Sequence, residues 1–153
     1  MKPTIFFLAL LLSSLTFSAF AQKTSQNETK LIQLKEVFTS MSVDNDIDVV
    51  LTESKTGEMV VEGNAKLLDM RLSDGHLSLS KKQLGVSAPI KVHVPASYLS
   101  KIFMNGNGTL SSSAVLSNQK MKILLAGEAK IAVKSTGSVT VETAEEIQFV
   151  KGE

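Results

Sequence analysis

Three carboxylates at alternating positions, Asp44, Asp46 and Asp48, could together bind a cation. On one β-strand all three side chains would lie on the same face, and a hard cation such as Ca²⁺ takes several oxygen ligands. The segment is not an EF-hand loop, because position six counted from Asp44 is Val49, where that motif needs glycine. A solvated outer face explains the same three acids and is the favoured interpretation. We therefore predict no metal site and no cofactor, with a Ca²⁺ site as the alternative.

Nucleophilic catalysis is the second chemistry to consider. The chain has no Cys and no Gly-x-Ser-x-Gly elbow, although a Ser-His-Asp arrangement can assemble from distant positions. Its two histidines are His76, beside a predicted turn, and His93, which alternates outward from apolar neighbours. Both are predicted to be exposed, and two separated histidines are a poor start for a zinc site. We therefore predict no catalytic residues.

Elimination from an acidic polysaccharide is the strongest enzymatic alternative. Such a reaction would need a basic residue near a Ca²⁺ site, and the only arginine is Arg71, in a short predicted strand. Four lysines could line a flank of the domain, although a solvated face explains them equally well: Lys120, Lys122, Lys130 and Lys134.

The elements that must position these side chains are predicted to be β-strands. Apolar residues alternate from Ile47 to Leu51 and from Ile90 to Val94, as on half-buried strands, and Pro95 marks a strand end. Residues 31–34 favour a first strand over a short helix. Asp74 and Gly75 suit a two-residue type I′ turn, because both positions need positive φ. That turn would place two apolar pairs on one side of a hairpin: Leu72 with Leu77, and Met70 with Leu79.

A pattern of apolar and small residues recurs along the second half of the chain. It runs apolar, x, apolar, x, corner, x, corner, x, apolar, as two inward-facing strands joined by a tight corner would. Stacked copies would bury a column of side chains that no single copy could bury. We therefore predict an all-β protein, a short β-solenoid, with an antiparallel β-sandwich as the alternative. The copies are Ile102, Met104, Gly106, Gly108 and Leu110; Ile123, Leu125, Gly127, Ala129 and Ile131; and Val139, Val141, Thr143, Glu145 and Ile147.

The first 21 residues have the pattern of a secretory signal peptide. One lysine precedes an apolar run, and small residues end in Ala19-Phe20-Ala21, which places cleavage before Gln22. The uninterrupted apolar run is shorter than the ~20 residues that a membrane span needs. Because the chain has no Cys, it cannot carry the acyl chain of a lipoprotein, and export without disulfides fits a bacterium. We predict a signal peptide over 1–21, a flexible lead-in over 22–30 and a single domain over 31–153.

The charge balance excludes one class of partner. Removing Lys2 with the signal leaves 15 of the 16 basic residues against 15 acidic ones. Nucleic acid binding needs a local excess of Lys and Arg, so we predict no nucleic acid partner. No second apolar stretch could span a membrane.

Three stretches in order resemble the bacterial head GIN domain, or auto-transporter adhesin, family: FTSMSVDNDIDVVLTES, MVVEGNAKLLDMRLSDGHLSLS and PIKVHVPASYLSKIFMNGNGTL. The resemblance runs from about Phe38 to the end of the chain. It implies an exported right-handed β-solenoid with no catalytic residues to carry over. The corners depart from the family's usual Gly-Ser-Gly, because they read Gly106-Asn107-Gly108, Gly127-Glu128-Ala129 and Thr143-Ala144-Glu145.

Taken together, the sequence predicts an exported, non-enzymatic domain that acts by presenting its surface. Outward polar positions would contact a protein or a glycan at the cell envelope, with the domain in the periplasm, on the cell surface or secreted. The alternative is a polysaccharide-active or Ca²⁺-dependent enzyme on the same scaffold.

Overall fold

A computed structural model describes residues 28–85, 88–118 and 120–144 of the chain. The predicted signal peptide, residues 22–27 of the predicted lead-in, and Glu145 and Ile147 of the third repeat copy lie outside the described residues. The described part contains twelve β-strands and one short 3-10 helix. Their bounds are β1 Thr29–Gln33, β2 Ser40–Asp44, β3 Ile47–Thr52, β4 Glu58–Gly63, η1 Ala65–Leu67, β5 Leu68–Ser73, β6 His76–Lys81, β7 Ile90–Pro95, β8 Lys101–Asn105, β9 Thr109–Ser112, β10 Lys120–Leu125, β11 Lys130–Ala132 and β12 Ser138–Thr143.

Two six-stranded sheets are formed by these strands. Sheet 1 has the order β1-β4-β7-β3-β9-β11, and sheet 2 has the order β12-β10-β8-β2-β6-β5. Seven strand pairs are parallel and three are antiparallel. The prediction of an all-β protein is confirmed. The two layers fit the sandwich-like alternative, but its strands are mixed and not simply antiparallel.

The core lies between the sheets, because successive side chains of a strand point to opposite faces and the apolar ones face inward. Ile47, Val49 and Leu51 of β3 have no exposed surface, as their alternation predicted. Met41 of β2, in the other sheet, belongs to the same buried cluster. Strand β7 shows the same alternation and ends at Pro95, also as predicted.

The first strand, β1, begins at Thr29, within the segment predicted as a lead-in. It confirms that residues 31–34 favour a strand over a helix, although Leu34 itself follows the strand. β1 pairs antiparallel with β4 and forms one edge of sheet 1.

The hairpin of β5 and β6 forms as predicted. Asp74 and Gly75 both have positive φ, 52° and 71°, which is what a type I′ turn requires. The predicted pairs are observed, with Leu77 and Leu79 fully buried and their partners half-buried against the core: Leu72 with Leu77, and Met70 with Leu79.

The first two copies of the repeat align residue by residue. Ile123 of β10 pairs with Ile102 of β8 in a parallel ladder, and Ile131 of β11 pairs with Leu110 of β9. Ile102, Leu110 and Ile123 are fully buried. The inward column predicted from these two copies is confirmed.

The third copy is displaced by two residues from its predicted alignment. Val141, not Val139, pairs with Ile123 in the parallel ladder between β10 and β12. The prediction matched Thr143 to the glycine of the corner, but Thr143 still belongs to the strand and pairs with Leu125. Without glycines to mark the corner, the alternation alone allows either alignment, because both keep the same face inward.

Strands β2 and β3 form a further copy of the pattern, which sequence analysis missed. Met41 pairs with Ile102, and Val49 pairs with Leu110. Strands β6 and β7 lie on the other side of β2 and β3. The order of layers therefore differs from the order of the chain, whereas a simple solenoid adds each coil to the one before it. The solenoid prediction is not established by this topology.

Glycines at the corner after β8 let it lie directly on the corner after β2. A Cβ atom at Gly106 would collide with the carbonyl oxygen of Asn45, and one at Gly108 with that of Ile47. The next corner is nearly as close, since a Cβ at Gly127 would lie 2.6 Å from the Gly106 carbonyl oxygen. Only glycine fits such close backbone approach.

Candidate functional site

The structure separates the three alternating carboxylates. Asp44 ends β2 in sheet 2, Asp48 lies in β3 in sheet 1, and Asp46 lies in the corner between them. The prediction that they share one strand face is wrong, because Asn45 adopts a φ of 67° and the chain turns there. In the described part of the chain, no group of three or more metal-ligating side chains could hold a metal ion.

Two of these acids connect neighbouring layers. Asp44 accepts a hydrogen bond from the Nδ2 atom of Asn105 at 3.0 Å. Asp48 accepts one from the backbone N–H of Thr109 at 2.9 Å. Both bonds join the layer of β2 and β3 to the layer of β8 and β9, which gives the acids a structural role.

Asp46 forms an ion pair with Lys81 at the end of β6. Its carboxylate lies 2.8 Å from the Nζ atom of Lys81, whose side chain is only 3% exposed. Lys81 also donates to the carbonyl oxygen of Ala88 at 3.1 Å. The hydrogen bond from Lys81 lowers the pKa of the Asp46 carboxyl. The pair lines a depression of about 390 Å³ together with Asn45, Gly85 and Gly106.

The two histidines lie in different sheets with different partners. His76, exposed as predicted, has Ser40 Oγ 2.8 Å from Nδ1 and Ser42 Oγ 3.0 Å from Nε2. His93 is half-buried and not exposed as predicted, since β7 lies between β4 and β3 in sheet 1. Its Nε2 lies 2.7 Å from Oε1 of Glu62. A catalytic triad needs the serine and the carboxylate on one imidazole ring. These contacts put the serines on one ring and the carboxylate on the other.

The contact between His93 and Glu62 predicts a pH dependence of stability. The hydrogen bond from His93 lowers the pKa of the Glu62 carboxyl. The folded protein therefore binds fewer protons than the unfolded chain around pH 4, and this contribution to stability is lost as the pH falls through that range. We expect Glu62→Gln to reduce the slope of melting temperature against pH between about pH 5 and pH 3.

His93→Val should reduce the same slope, because it removes the donor that stabilises the Glu62 carboxylate. Thermal melts at a series of pH values for both variants and the wild type provide the measurement. Equal slopes in all three proteins would contradict this assignment.

Of the basic residues considered for an elimination, only Lys120 and Lys122 come together, on one face of β10 beside Glu142. Lys122 lies in β10 of sheet 2 and pairs with Glu142 at 2.9 Å, whereas Lys130 lies in β11 of sheet 1. Arg71 lies in β5 at the opposite edge of sheet 2 and pairs with Asp69 at 3.4 Å. Each of these contacts is a pair with one acid, and the described residues contain no carboxylate cluster that could hold Ca²⁺ beside these bases. The other two lysines are Lys120 in β10 and Lys134 after β11.

Three loops at one end of the sheets enclose a concave site of about 210 Å³, which we call the loop groove. Its lining comes from residues 34–38, 54–57 and 95–98. These segments follow β1, β3 and β7, respectively. A groove built from three chain segments on a packed β scaffold is a common arrangement for a binding site.

The loop groove exposes two large apolar side chains. Val37 is 62% exposed and Tyr98 is 60% exposed. Leu34, Phe38 and Pro95 also line the groove and are buried beneath the surface. The lining therefore includes two exposed and three buried apolar residues, and exposed apolar groups in a concave site are typical of a site of interaction.

Residues 54–57, which we call the Ser54 loop, contribute polar groups to the loop groove. The hydroxyl oxygens of Ser54 and Thr56 lie 2.8 Å apart, and Thr56 Oγ1 donates to a carboxylate oxygen of Glu58 at 3.4 Å. The hydroxyl of Ser97 donates to the backbone carbonyl of Ser54 at 2.9 Å and joins two of the three loops. The groove therefore combines apolar contact with an ordered set of hydroxyls.

Sequence analysis did not identify Val37 or Tyr98 as site residues. The available signal was Tyr98 itself, an aromatic residue three positions after the strand-ending Pro95, where no alternation accounts for it. Val37 carried no such signal.

Comparison with known proteins gives a family for this fold. Residues 37–149 match the family described as "Putative auto-transporter adhesin, head GIN domain". The chain belongs to the head GIN domain family. The match confirms the resemblance that the sequence showed from about Phe38 onward. It includes β3 and β7, which precede two of the three segments that line the loop groove.

Three solved structures from Bacteroides and Parabacteroides species are similar to this head GIN domain. A "putative adhesin" from Bacteroides fragilis has a TM-score of 0.58 and 16% identity, with 78% of this chain and 59% of that chain covered. A "putative adhesin" from Parabacteroides merdae has a TM-score of 0.53 and 16% identity, with coverages of 77% and 57%. A "putative lipid binding protein" from Parabacteroides distasonis has a TM-score of 0.54 and 15% identity, with coverages of 78% and 61%. At these identities the likeness is one of fold.

The head GIN domain chain spans about three-fifths of the length of these structures. No functionally curated protein matches its sequence. Within the residues that the structure describes, no helix is both long and apolar enough to cross a membrane.

Proposed function

We propose that this head GIN domain is an exported, non-enzymatic, adhesin-like module that binds a protein or a glycan at the cell envelope. The observation that carries the proposal is the loop groove, where Val37 and Tyr98 each expose more than half of their surface. Large apolar side chains grouped in a concave site are typical of binding sites. The family description and the adhesin names of two solved relatives support the same function.

The absence of enzymatic activity is part of this proposal. The side chains most suited to catalysis have structural partners: His93 contacts Glu62, and Asp46 contacts Lys81. His76 lies between two serine hydroxyls. The proposal is supported because each of these groups makes its own structural contact, and none of them lines the loop groove.

The scaffold proposed for this module is a short right-handed β-solenoid in the parallel part of the two sheets. The shared register of β2, β8 and β10 supports it, since Met41, Ile102 and Ile123 form one column. The parallel pairing of β3, β9 and β11 supports it in the same way. Stacked layers of this kind give a rigid body on which loops can be held in fixed positions.

Export is proposed to depend on residues 1–21 as a signal peptide. The lead-in predicted over 22–30 then ends earlier, before β1, which begins at Thr29, and a single domain follows it. The module is then released without a lipid anchor, since no Cys is available for acylation. N-terminal sequencing of the exported protein should begin at Gln22, and a retained Met1 would contradict cleavage.

The binding function predicts saturable association with envelope material. Purified protein should bind isolated bacterial envelope fractions, and Val37→Asp should weaken this binding at least about tenfold, because it places a charge in the apolar part of the groove. Val115→Asp is the matched control, since Val115 is 54% exposed and is not among the residues that line the groove. Lack of saturable binding by the wild type would contradict the proposal.

A further inference from the structure

The loop groove has a composition that selects one class of ligand. We propose that it binds a single neutral pyranose ring of a glycan, stacked on Tyr98 and hydrogen-bonded to the Ser54 loop. This inference rests on the proposed binding function and adds the chemical class of the partner.

The size of the loop groove favours a ligand of one ring. Its volume is about 210 Å³, which is below the ~300–1,000 Å³ of sites for drug-sized molecules. The buried side chains of Leu34, Phe38 and Pro95 form its floor. A small, mixed cavity open to solvent fits the end or one residue of a chain that continues outside it.

The charges at the loop groove favour a neutral ligand. Lys35, Lys55 and Glu36 line it, and Glu58 is reached through the hydroxyl of Thr56. The lining itself has two ammonium groups and one carboxylate, and Glu58, bonded to Thr56 just outside the lining, brings a second carboxylate, so the charges near the groove largely offset one another. Uronates, sulfated sugars and phosphorylated headgroups are therefore disfavoured, because each would face a carboxylate as well as an ammonium group.

Hydrogen bonding at the loop groove suits a ligand with several hydroxyl groups. The backbone N–H of Thr56 donates to Ser54 Oγ at 3.3 Å, and Thr56 Oγ1 donates to Glu58. With these donors used, the two hydroxyl oxygens keep lone pairs that can accept from a sugar O–H. The lysine ammonium groups can donate to sugar oxygens. Sugar hydroxyls are both donors and acceptors, so one ring can use both kinds of group.

Tyr98 supplies the stacking surface. Tyr98 is 60% exposed and lines the same groove as Val37 and the residues of the Ser54 loop. An aromatic ring gives a large apolar contact area with a polar end, which matches the face of a pyranose ring, where C–H groups are surrounded by hydroxyls. The acyl chain of a lipid could use the apolar part of the groove but would form no hydrogen bond with the remaining lone pairs of Ser54 and Thr56.

Tyr98 also provides the means of measurement, because it is the only tyrosine of the chain and there is no tryptophan. The tyrosine emission of the purified protein is therefore a signal from the loop groove alone. We would titrate the methyl β-glycosides of glucose, galactose, mannose, N-acetylglucosamine and N-acetylgalactosamine. At least one should change the emission saturably, with a Kd on the order of 1 mM, as expected for a one-ring ligand.

Variants then locate the contact, with binding followed by calorimetry. Tyr98→Ala should weaken binding about tenfold or more, whereas Tyr98→Phe keeps the ring and should retain it. Val115→Ala, which alters an exposed side chain outside the groove, should have no effect. Equal affinity for the wild type and Tyr98→Ala would overturn the proposal.

Two further probes test whether binding depends on the neutral pyranose ring or on an attached carboxylate or alkyl chain. Methyl glucuronide adds a carboxylate to the same ring, and octyl β-glucoside, used below its micelle concentration, adds an alkyl chain. Binding of the neutral methyl glycosides with little gain from either addition supports the proposal. Binding of the glucuronide alone, of the octyl glucoside alone, or of no probe would overturn it.

The outcome is distinguishable from failure of the proposed function. If Tyr98→Ala binds envelope fractions as well as the wild type does, the pyranose site is wrong and the binding module stands. If the wild type binds no envelope fraction, the module itself is wrong.

Discussion

We expect Ile123→Asp to abolish the cooperative unfolding transition of this domain. Ile123 is fully buried in β10 and is paired with Ile102 on one side and Val141 on the other. Aspartate removes the apolar contact, which is worth about 2–5 kcal/mol in such positions, and adds the desolvation of a carboxylate without a partner, at several kcal/mol more. Because domains are stable by roughly 5–15 kcal/mol in total, most or all of the stability is lost.

Circular dichroism during thermal and urea unfolding is the measurement for this variant. Lys120→Asp is the matched control, because it introduces the same charge on the same strand at an exposed position. It should change the free energy of unfolding by less than about 1 kcal/mol. A cooperative transition in Ile123→Asp close to that of the control would show that position 123 does not face a closed interior.

Much of the local structure could be predicted because side-chain alternation and turn residues act over short distances. The hairpin at Asp74 and Gly75 has the predicted turn and the predicted partners, since a two-residue turn fixes the register of both strands. The pairing of Ile102 with Ile123 was also predicted, because both strands end in glycine-rich corners that give the same phase. Where pattern and corner agree, the sequence determines the register.

The layer of β2 and β3 was missed because its corner does not look like the others. Asn45 takes the left-handed conformation there, with a φ of 67°, which asparagine tolerates better than most residues. Its copy lies 61 positions before the one that begins at Ile102, a separation given by the pairing of Met41 with Ile102. Strands β4 to β7 lie between the two copies in the chain. A comparison of neighbouring repeats does not span that distance.

The same corner explains the error about the three carboxylates. Alternation at Asp44, Asp46 and Asp48 resembles one strand face only if the chain runs straight. The turn at Asn45 sends Asp44 and Asp48 into opposite sheets, where each accepts a hydrogen bond from the next layer. The turn at Asn45 therefore separates the carboxylates, and Asp44 and Asp48 form structural hydrogen bonds instead of a shared site.

The loop groove was not predictable because its walls come from three separate chain segments. Residues 34–38, 54–57 and 95–98 meet only after both sheets have formed. Residues 34–38 include three apolar residues and 95–98 include Tyr98, but neither composition shows which other segment it will meet. Site prediction from one sequence fails here for the same reason that long-range pairing fails, since no local rule joins distant loops.

Gly108→Ala is the second variant with a large expected effect. The Cβ atom of alanine would collide with the carbonyl oxygen of Ile47, in the corner of the neighbouring layer. Gly108 is buried and does not have a positive φ, so the cost is steric and not conformational. Overpacking of side chains costs typically 1–3 kcal/mol, and here two backbones must separate, which rotamer changes cannot relieve. We therefore expect a loss of about 3 kcal/mol, measured by urea unfolding.

Gly85→Ala separates this steric effect from the ordinary cost of replacing glycine. Gly85 has a φ of 85°, and a Cβ atom there would have no heavy atom within 4 Å. Its replacement should cost only the left-handed penalty of about 1–2 kcal/mol. If Gly108→Ala is no more destabilising than Gly85→Ala, the corners after β2 and β8 do not lie in backbone contact. The hydrogen-bonded ladders of β2, β8 and β10 would then hold the column of Met41, Ile102 and Ile123 without help from contact between the corners.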